Sequence, residues 1–457
     1  MRAPGAVLLV SCYELGHQPL GLAWPKAFLE EAGYAPDTID LAVEPLDEAK
    51  ARRARFVGIA VPMHTALRLG VRAAERIRRV SPGCRIVFHG LYALLNADYL
   101  LEDLADAVLG GEAEGELVAL ARRLEAGAAL AAGPRPHAAL ERLHFPLPSR
   151  AGLAALTRYV SLAHAGRLVP AGYVEASRGC LHQCLHCPIP SVYGGRFFVI
   201  PGEVVLGDIR RLIAAGAGHI TFGDPDFLNG PRHSLRLVRA LHEEFPEVSY
   251  DFTAKVEHIL EHRALFPEFA ATGCLFVVAA VESLSDLVLT NLEKGHTRAD
   301  VAVALDVVRR AGITLRPSFV PFAPWATLAD YLDILDFVEG EGLIDQVDPV
   351  QYTIRLLIPP GSLLLSRPAI RPFLGPLDRA GLSYRWTHPD PRMDELQREV
   401  SGLVAERARM GEDPAATFYH LRARAAAHAG NPLGVGAVRL PPPKRPIPAR
   451  LTEPWFC

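Results

Sequence analysis

Short apolar runs alternate with longer amphipathic stretches over the first 125 residues of the chain. An apolar run of about five residues predicts a buried strand, and apolar positions repeated every three or four residues predict a helix. Parallel strands need long crossover connections, which are usually helices, so this alternation predicts an α/β fold with a doubly wound parallel sheet. The predicted strands are 6–10, 56–61, 85–89 and 107–110, and the clearest predicted helix is 67–80.

The alternation restarts at residue 171 with longer units. Six strand-and-helix repeats of this kind predict a complete or partial (β/α)6 TIM-like barrel, in which the carboxyl ends of the strands hold the chemistry. The predicted strands are 171–176, 219–223, 249–254, 275–281, 313–319 and 350–354, and the predicted helices are 204–215, 234–245, 299–310 and 328–339.

The same patterns divide the chain into four predicted parts. A stretch rich in alanine, glycine and proline at 126–136 predicts a linker after the first sheet. The looser pattern after the barrel predicts two helices, 393–410 and 415–427, and the prolines near 440–446 predict an extended segment. The parts are an α/β domain at 1–125, a linker and connecting segment at 126–168, a barrel at 169–365, and a helical carboxyl-terminal region with a proline-rich tail at 366–457.

Composition and charge limit the kinds of partner that we expect this protein to bind. The 457 residues carry a formal net charge of −3, and lysine and arginine are scattered, so we expect no nucleic acid and favour a small-molecule substrate. Seven cysteines in a chain of this length, without an amino-terminal signal pattern, fit a reducing cytoplasm. The apolar runs are too short to span a bilayer, so no membrane attachment is expected.

Three cysteines stand close together directly after the predicted strand 171–176. Cys180, Cys184 and Cys187 are spaced by three and then two residues on one loop. Three such thiolates can hold three corners of a cubic iron–sulfur cluster and leave the fourth iron open to a ligand. A tetrahedral zinc site that adds His182 or His186 is the alternative, although zinc loops usually draw their ligands from two separated knuckles.

This cysteine spacing after the first barrel strand resembles the radical SAM superfamily. The resemblance implies that Cys180, Cys184 and Cys187 bind a [4Fe–4S] cluster and that the amino and carboxylate groups of S-adenosylmethionine (SAM) chelate the open iron. It also implies an external electron donor, such as flavodoxin or ferredoxin, and reductive cleavage of SAM. His186 departs from the family, which often has an aromatic residue just before the last cysteine.

Two further segments resemble positions that contact SAM in this superfamily. Residues 221–227 resemble its Gly-Gly-Glu-Pro segment, which places Gly223 and Asp224 at the methionine amino group, with a helix-capping aspartate as the alternative. Glu282 and Ser283, after the fourth predicted strand, look similar to the position that contacts ribose and methionine groups.

Two basic residues are weaker candidates for the same cofactor site. Lys255 follows the third predicted strand, and Arg316 lies within the fifth. Both side chains are expected to point inward. A structural or solvated salt bridge is an equally good explanation of each.

The amino-terminal sheet resembles the cobalamin-binding domain that precedes the barrel in one radical SAM branch. Residues 88–91 and 106–114 carry the strongest match. The cobalt-ligating signature Asp-x-His-x-x-Gly is absent at His17, because Leu15 and Leu20 stand in place of its aspartate and glycine. Cobalamin could still bind without a histidine on cobalt, cradled by loops at the strand ends. A vestigial or repurposed domain is the alternative.

Four segments, 11–19, 61–65, 90–93 and 450–457, look like a radical SAM family named for tails ending Cys-Cys-Ala-Glu-Pro or Cys-Sec-Ala-Glu-Pro (CCAEP/CUAEP). Our sequence stops at Cys457, where that tail continues. We therefore expect that a stop codon recoded as selenocysteine could follow Cys457; any stop other than UGA would end this hypothesis.

The combined sequence evidence predicts a radical SAM enzyme that transfers a methyl or alkyl group to a small molecule. The tail prompts one alternative, aminocarboxypropyl transfer to a soft acceptor such as trivalent arsenic. A non-enzymatic iron–sulfur electron carrier and a zinc-stabilised binding module are the alternatives from other classes. A carrier would usually supply a fourth cluster ligand, and the sequence offers no evident one.

Overall fold

A computed structural model describes residues 1–128, 136–430 and 445–453 of the chain. The amino-terminal sheet contains β1 (Val7–Ser11), β2 (Asp37–Asp40), β3 (Phe56–Ala60), β4 (Arg85–His89), β5 (Ala107–Gly111) and β6 (Ala138–Ala139). All neighbouring strands are parallel, in the order β2-β1-β3-β4-β5-β6. The predicted parallel sheet is confirmed, and β2 was missed because Asp37-Thr38-Ile39-Asp40 contains a single strongly apolar residue.

Helices cover both faces of this sheet. Successive strand residues point to opposite faces, so Val7 and Leu9 pack with one set of helices while Leu8 and Val10 pack with the other. The first face is covered by α1 (Leu20–Glu31) and α6 (Glu114–Glu125), and the second by α2 (Glu48–Arg53), α3 (His64–Val80), α4 (Leu91–Leu95) and α5 (Ala97–Asp103). This two-sided burial explains why the strands read as continuous apolar runs.

The second large sheet curls into a partial barrel. Its strands are β7 (Ser161–His164), β8 (Arg167–Val174), β11 (His219–Phe222), β12 (Ser249–Ala254), β13 (Cys274–Glu282), β14 (Thr314–Phe319) and β17 (Arg450–Leu451), in the order β14-β13-β12-β11-β8-β7-β17. From β8 to β14 the pairs are parallel, whereas β7 and β17 extend the β8 side in antiparallel pairs. The predicted partial barrel is confirmed.

Helices and two short ribbons complete the second half of the chain. The antiparallel ribbons pair β9 (Ser177–Gly179) with β10 (Phe197–Val199), and β15 (Leu374–Asp378) with β16 (Ser383–Trp386). The remaining helices are α7 (Pro188–Tyr193), α8 (Gly202–Ala214), α9 (Pro231–Glu244), α10 (Val256–Glu261), α11 (Phe266–Ala271), α12 (Asp286–Asn291), α13 (Arg298–Arg310), α14 (Leu328–Gly340), α15 (Pro391–Arg409) and α16 (Pro414–His428).

The strand predicted at 350–354 is wrong, because this segment is a 3-10 helix, Pro349–Thr353. Pro349 at its first position has no N–H to donate to a sheet. Tyr352 is instead buried against Phe418 of α16, with ring centroids 5.5 Å apart. The apolar residues of this segment predicted its burial correctly, but the pattern could not identify α16 as the element that packs on it.

The predicted connecting segment 126–168 and the predicted tail both contribute strands. β6 joins the amino-terminal sheet, β7 joins the barrel sheet, and β17 pairs with β7 through Leu451 and Leu162. Residues 129–135, the proline run up to 444 and residues 454–457, with Cys457, lie outside the described residues. Within the described ranges, no helix is long and apolar enough to cross a membrane.

Candidate functional site

The three cysteines lie together on the loop between β9 and α7. Cys180 and Cys184 are buried, and the Asn229 side-chain amide donates to the Cys180 sulfur over 3.5 Å. The Leu185 amide donates to the Leu292 carbonyl over 3.0 Å, which ties the loop to the segment after α12. These contacts hold the loop at the carboxyl ends of the barrel strands, as predicted.

A buried lysine places positive charge beside these thiols. Lys294 is 2% exposed, and its Nζ lies 3.2 Å from Oε1 of Glu282. Burial lowers the pKa of Lys294, but the charges of Glu282, Cys184 and Cys187 raise it further than burial lowers it. Burial also raises the pKa of the Cys187 thiol to about 12, so bound cations are needed to hold it as a thiolate. Three converging thiols beside a fixed ammonium therefore fit a cluster with an anionic thiolate shell.

Glu282 and Ser283 lie at the end of β13, next to the cysteine loop. Nε2 of His186 lies 3.4 Å from the Glu282 carboxylate. Burial raises the pKa of Glu282, but Lys294 and His186 offset this and lower it to about 2. Glu282 also has a left-handed backbone (φ 64°), a conformation that costs a non-glycine residue about 1–3 kcal/mol and is concentrated at functional sites.

Gly223 and Asp224 lie at the end of β11, on the opposite wall. Gly223 is close-packed, because a Cβ at this position would overlap the Tyr173 ring. The buried Asp224 carboxylate accepts from the Ala176 amide over 2.9 Å and from the Ser177 hydroxyl. Burial raises its pKa to about 7. Asp224 thus joins the ends of β11 and β8 rather than capping a helix, and its contact with SAM stays a prediction.

Arg316 does not reach Glu282, whereas Lys255 contacts the cysteine loop. Nζ of Lys255 lies 2.8 Å from the Glu257 carboxylate and 3.1 Å from Nδ1 of His182, and Arg316 donates to Asp348 over 2.8 Å. Arg316 is opposite Val278, which precedes Glu282 by four residues and is therefore about 13 Å lower in the strand. Both residues make the ion pairs that the sequence left open as alternatives.

A cavity of about 250 Å³ lies inside the partial barrel. Its walls come from the parallel strands, and Leu451 and Glu453 of the carboxyl-terminal segment border it. His17 reaches this cavity from the amino-terminal domain and stacks on Tyr173, with ring centroids 4.3 Å apart. Nδ1 of His17 and Nη1 of Arg316 are buried without a hydrogen-bond partner among the described residues.

A second cleft, of about 320 Å³, lies between the amino-terminal sheet and the barrel. It is bordered by the ends of β3, β4 and β5, including His89, Gly90 and Gly111. Nε2 of His89 and Oε2 of Glu114 also lack partners within the described part of the chain. The cleft and the barrel cavity share four lining residues, Tyr173, Ile189, Gly223 and Pro225.

Comparison with known families agrees with this geometry. A family model for the radical SAM superfamily matches residues 174–338, which include the cysteine loop and β11 to β14. A B12 binding domain model matches residues 6–121, the amino-terminal sheet with both helix layers. Two parts of the chain therefore match known families, the radical SAM superfamily and the B12 binding domain. The second cleft lies at the strand ends of the segment that matches the B12 binding domain, which is where a doubly wound sheet binds ligands.

Curated relatives of the chain include proteins named as group-transfer enzymes. The chain is 25% identical to the hopanoid C-3 methylase of Methylococcus capsulatus over 324 residues, which are 67% of our chain and 62% of the relative. It is 26% identical over 182 residues to a ribosomal protein uS12 methylthiotransferase of Desulfosudis oleivorans, covering 37% of our chain and 40% of the relative. Both matches span less than two thirds of the relative's length.

Two solved structures share the fold. The cobalamin-dependent SAM radical enzyme OxsB, with aqua-cobalamin and SAM bound, superposes with a TM-score of 0.68 at 16% identity, covering 88% of our chain and 66% of OxsB. The radical SAM methyltransferase TsrM of Kitasatospora setae, with cobalamin and a [4Fe–4S] cluster bound, gives a TM-score of 0.65 at 17% identity and covers 96% and 93% of the two chains. These likenesses extend from the B12 binding domain through the barrel.

The sequence did not predict how the B12 binding domain contacts the radical SAM loop. Arg178, two residues before Cys180, is 10% exposed and pairs with Glu112 (3.3 Å), Glu114 (2.8 Å) and Glu175 (3.0 Å). Glu112 and Glu114 follow β5, so the buried guanidinium joins the two domains directly beside the cluster loop. The two glutamates in the segment 110–114 could have indicated an ion pair, but the sequence does not show that Arg178 is their partner.

Proposed function

We propose that this protein is a cobalamin-using radical SAM enzyme that transfers a methyl or alkyl group to a small molecule. The observation that carries the proposal is the shared wall between the B12 cleft and the barrel cavity. Tyr173, Ile189, Gly223 and Pro225 line both spaces. A group carried at the cleft would therefore face a substrate in the barrel without crossing bulk solvent.

The chain's own residues would hold the cluster and SAM at the top of the barrel. Cys180, Cys184 and Cys187 would bind the [4Fe–4S] cluster, which supplies the electron for cleavage of SAM when both are bound. Lys294 offsets the negative charge of the thiolate shell and fixes Glu282 through their 3.2 Å ion pair. Glu282 and Ser283, which are buried beside the cysteine loop, would accept hydrogen bonds from SAM.

The B12 cleft fits a cobalamin held mainly by backbone. Gly90 and Gly111 provide strand ends without side chains, and the unpaired atoms of His89 and Glu114 offer polar contacts. Cobalamin, when bound, supplies a carrier for the transferred group. His17 cannot serve as its ligand in this arrangement, because its ring is stacked on Tyr173 within the barrel cavity.

The barrel cavity is the proposed substrate site. Phe276 and Val278 provide an apolar wall, and the unpaired nitrogens of Arg316 and His17 provide polar contacts. Burial lowers the pKa of His17 to about 3, so its ring is neutral and Arg316 supplies the positive charge. A small molecule with one polar oxygen group would satisfy both nitrogens. The expected donor of electrons is a flavodoxin or ferredoxin, in the cytoplasm.

Aminocarboxypropyl transfer to a soft acceptor such as trivalent arsenic remains the second candidate. One observation favours it: the carboxyl-terminal segment reaches the cavity, where Glu453 accepts a hydrogen bond from Tyr13 over 2.8 Å. The thiol that prompted this candidate, Cys457, lies outside the described residues. The two functions predict different products from the same SAM molecule.

Product analysis tests the proposal. Oxygen-free protein with a reconstituted cluster would be incubated with hydroxocobalamin, desalted, and supplied with reductant and SAM labelled in its methyl group. We expect a cobalamin spectrum that stays with the protein, together with 5′-deoxyadenosine and S-adenosylhomocysteine. Methylthioadenosine as the main product would support aminocarboxypropyl transfer instead, and loss of all cobalamin on desalting would contradict the proposal.

Two variants test which residues contact SAM. We expect Glu282→Gln to weaken SAM binding by about 10-fold or more, because it removes a charged acceptor beside the cluster. We expect Arg316→Met to change the SAM dissociation constant by less than about twofold, since Arg316 lies about 13 Å lower in the barrel. Equilibrium dialysis with labelled SAM measures both, with iron content as the control for folding. An equal loss in the two variants would contradict this assignment.

A further inference from the structure

A compact group of side chains outside the cysteine ligands converges beside the cluster loop. Oδ2 of Asp226 lies 2.8 Å from Nδ1 of His258 and 3.5 Å from Nε2 of His182. The two imidazole nitrogens are 3.4 Å apart. All three donor atoms therefore lie within a sphere the size of one coordination shell.

We infer that His182, Asp226 and His258 form a binding site for a divalent transition-metal ion, separate from the iron–sulfur cluster. Zinc bonds of about 2.0–2.1 Å to nitrogen or oxygen place neighbouring ligand atoms of a tetrahedron about 3.4 Å apart. The 3.4 and 3.5 Å separations match this edge, whereas the 2.8 Å separation of Asp226 and His258 is that of a hydrogen bond and must lengthen when an ion replaces the shared proton. Two imidazoles and one carboxylate are a donor set suited to zinc, iron(II) or cobalt(II).

The surroundings provide an outer shell for such an ion. Asp226 and His258 are 2% and 8% exposed, and Oδ1 of Asp226 accepts from the Leu228 amide over 2.9 Å. Nδ1 of His182 lies 3.1 Å from Nζ of Lys255 and 3.7 Å from the Glu257 carboxylate. Metal binding at Nε2 moves the ring proton to Nδ1, so Glu257 must then replace Lys255 as the partner of Nδ1. Lys255 remains paired with Glu257 at 2.8 Å. The side chain of Glu257 is 43% exposed, so the site is close to solvent and an ion can enter.

The ligands come from three separate elements. His182 is on the cysteine loop, Asp226 follows β11, and His258 is in α10 after β12. A bound ion would therefore connect the cluster loop to the segments that follow β11 and β12. This site differs from the zinc alternative considered for the sequence, because it leaves all three cysteines to the cluster.

Metal analysis of the holoenzyme tests the site. Oxygen-free protein with a reconstituted cluster would receive one equivalent of zinc, then be desalted and analysed for zinc and iron. We expect one zinc in addition to the cluster iron. X-ray absorption at the zinc edge should give only nitrogen and oxygen neighbours, at about 2.0–2.1 Å. No retained zinc, or sulfur neighbours at about 2.3 Å, would overturn the inference.

Single substitutions locate the ion. We expect His258→Ala and Asp226→Asn to weaken zinc binding by at least about 10- to 100-fold, the loss that follows from removing even outer-shell partners. His262→Ala is the matched control, because its ring centroid is 5.5 Å from that of His258 at the end of the same helix. Zinc binding by this control should stay unchanged. Zinc retention by both ligand variants, or an equal loss in the control, would overturn the site.

These outcomes are independent of the proposed transfer reaction. Iron content and the absorbance of the cluster report whether each variant folds, and zinc content reports the new site. If His258→Ala lost both metals, Asp226→Asn, which keeps the shape of the side chain, would decide the test. Formation of 5′-deoxyadenosine by zinc-free protein would leave the proposed function intact whatever the zinc result.

Discussion

Replacing Cys184 by alanine is expected to abolish the cluster and lower 5′-deoxyadenosine formation by more than about 100-fold. The loop contributes three thiols at Cys180, Cys184 and Cys187, so the substitution leaves two ligands for a cluster that needs three from the protein. Iron and sulfide content, visible absorbance and product chromatography measure the effect on the same sample.

Cys274→Ala is the matched control for this substitution. Cys274 is also buried and begins β13 of the same barrel, but it belongs to the hydrophobic core. We expect its variant to keep the iron content and the product of the parent protein. A Cys184→Ala protein that retained a full cluster would contradict the assignment of the three thiols.

Replacing Arg178 by methionine is expected to destabilise the protein by about 3–5 kcal/mol, the cost of breaking a buried ion pair from one side. The substitution leaves Glu112, Glu114 and Glu175 facing each other without the guanidinium. Burial already raises the pKa of Glu112 to about 7 against the effect of Arg178, and the variant should raise it further. Protonation at lower pH removes the uncompensated charge, so the loss should shrink as pH falls from 8 to 6.

Urea denaturation at the two pH values measures this change. Arg167→Met provides the control, because Arg167 is exposed at the start of β8 and its replacement should change the free energy of unfolding by less than about 0.5 kcal/mol. A loss below about 1 kcal/mol in Arg178→Met, or one independent of pH, would contradict the proposed interdomain ion-pair network. Reduced cluster stability in the same variant would show that this contact also positions the cysteine loop.

The sequence predicted the two large sheets and their helices well because the strands of both sheets are buried on two faces. Apolar runs such as 56–61 and 275–281 have few alternatives to a buried parallel strand in this alternation. The segment 350–354 alternates apolar with polar residues, as a strand does, yet it is a 3-10 helix beside α16. Burial was predicted correctly there, but the conformation depended on Pro349 and on a helix about 65 residues later.

The candidate site also contains some residues that the sequence could predict and others that it could not. The three cysteines were predictable because their spacing alone puts three thiols on one short loop. Glu282 and Ser283 were predictable from their position at a strand end. Arg316 also fits an inward-facing pattern, but the pattern does not fix how deep in the barrel a side chain lies. Contacts between distant segments, such as Arg178 with Glu114, depend on domain packing that one sequence does not encode in any local pattern.

His17 illustrates the limit of motif matching. The residues around His17 do not match the cobalt-ligating signature Asp-x-His-x-x-Gly. The structure places the ring of His17 against Tyr173 inside the barrel. The residue instead links the amino-terminal domain to the proposed substrate cavity. The departure from the signature was therefore informative, although its structural meaning required the packing of the two domains.

The central claim is that the three-cysteine loop holds a cluster with one iron open to SAM. The most direct measurement is iron and sulfide content of oxygen-free, reconstituted protein, followed by chromatography after addition of reductant and SAM. We predict four irons and four sulfides per chain and the appearance of 5′-deoxyadenosine or methylthioadenosine. Zinc bound by the cysteines in place of iron, or a full cluster that leaves SAM intact, would contradict the account.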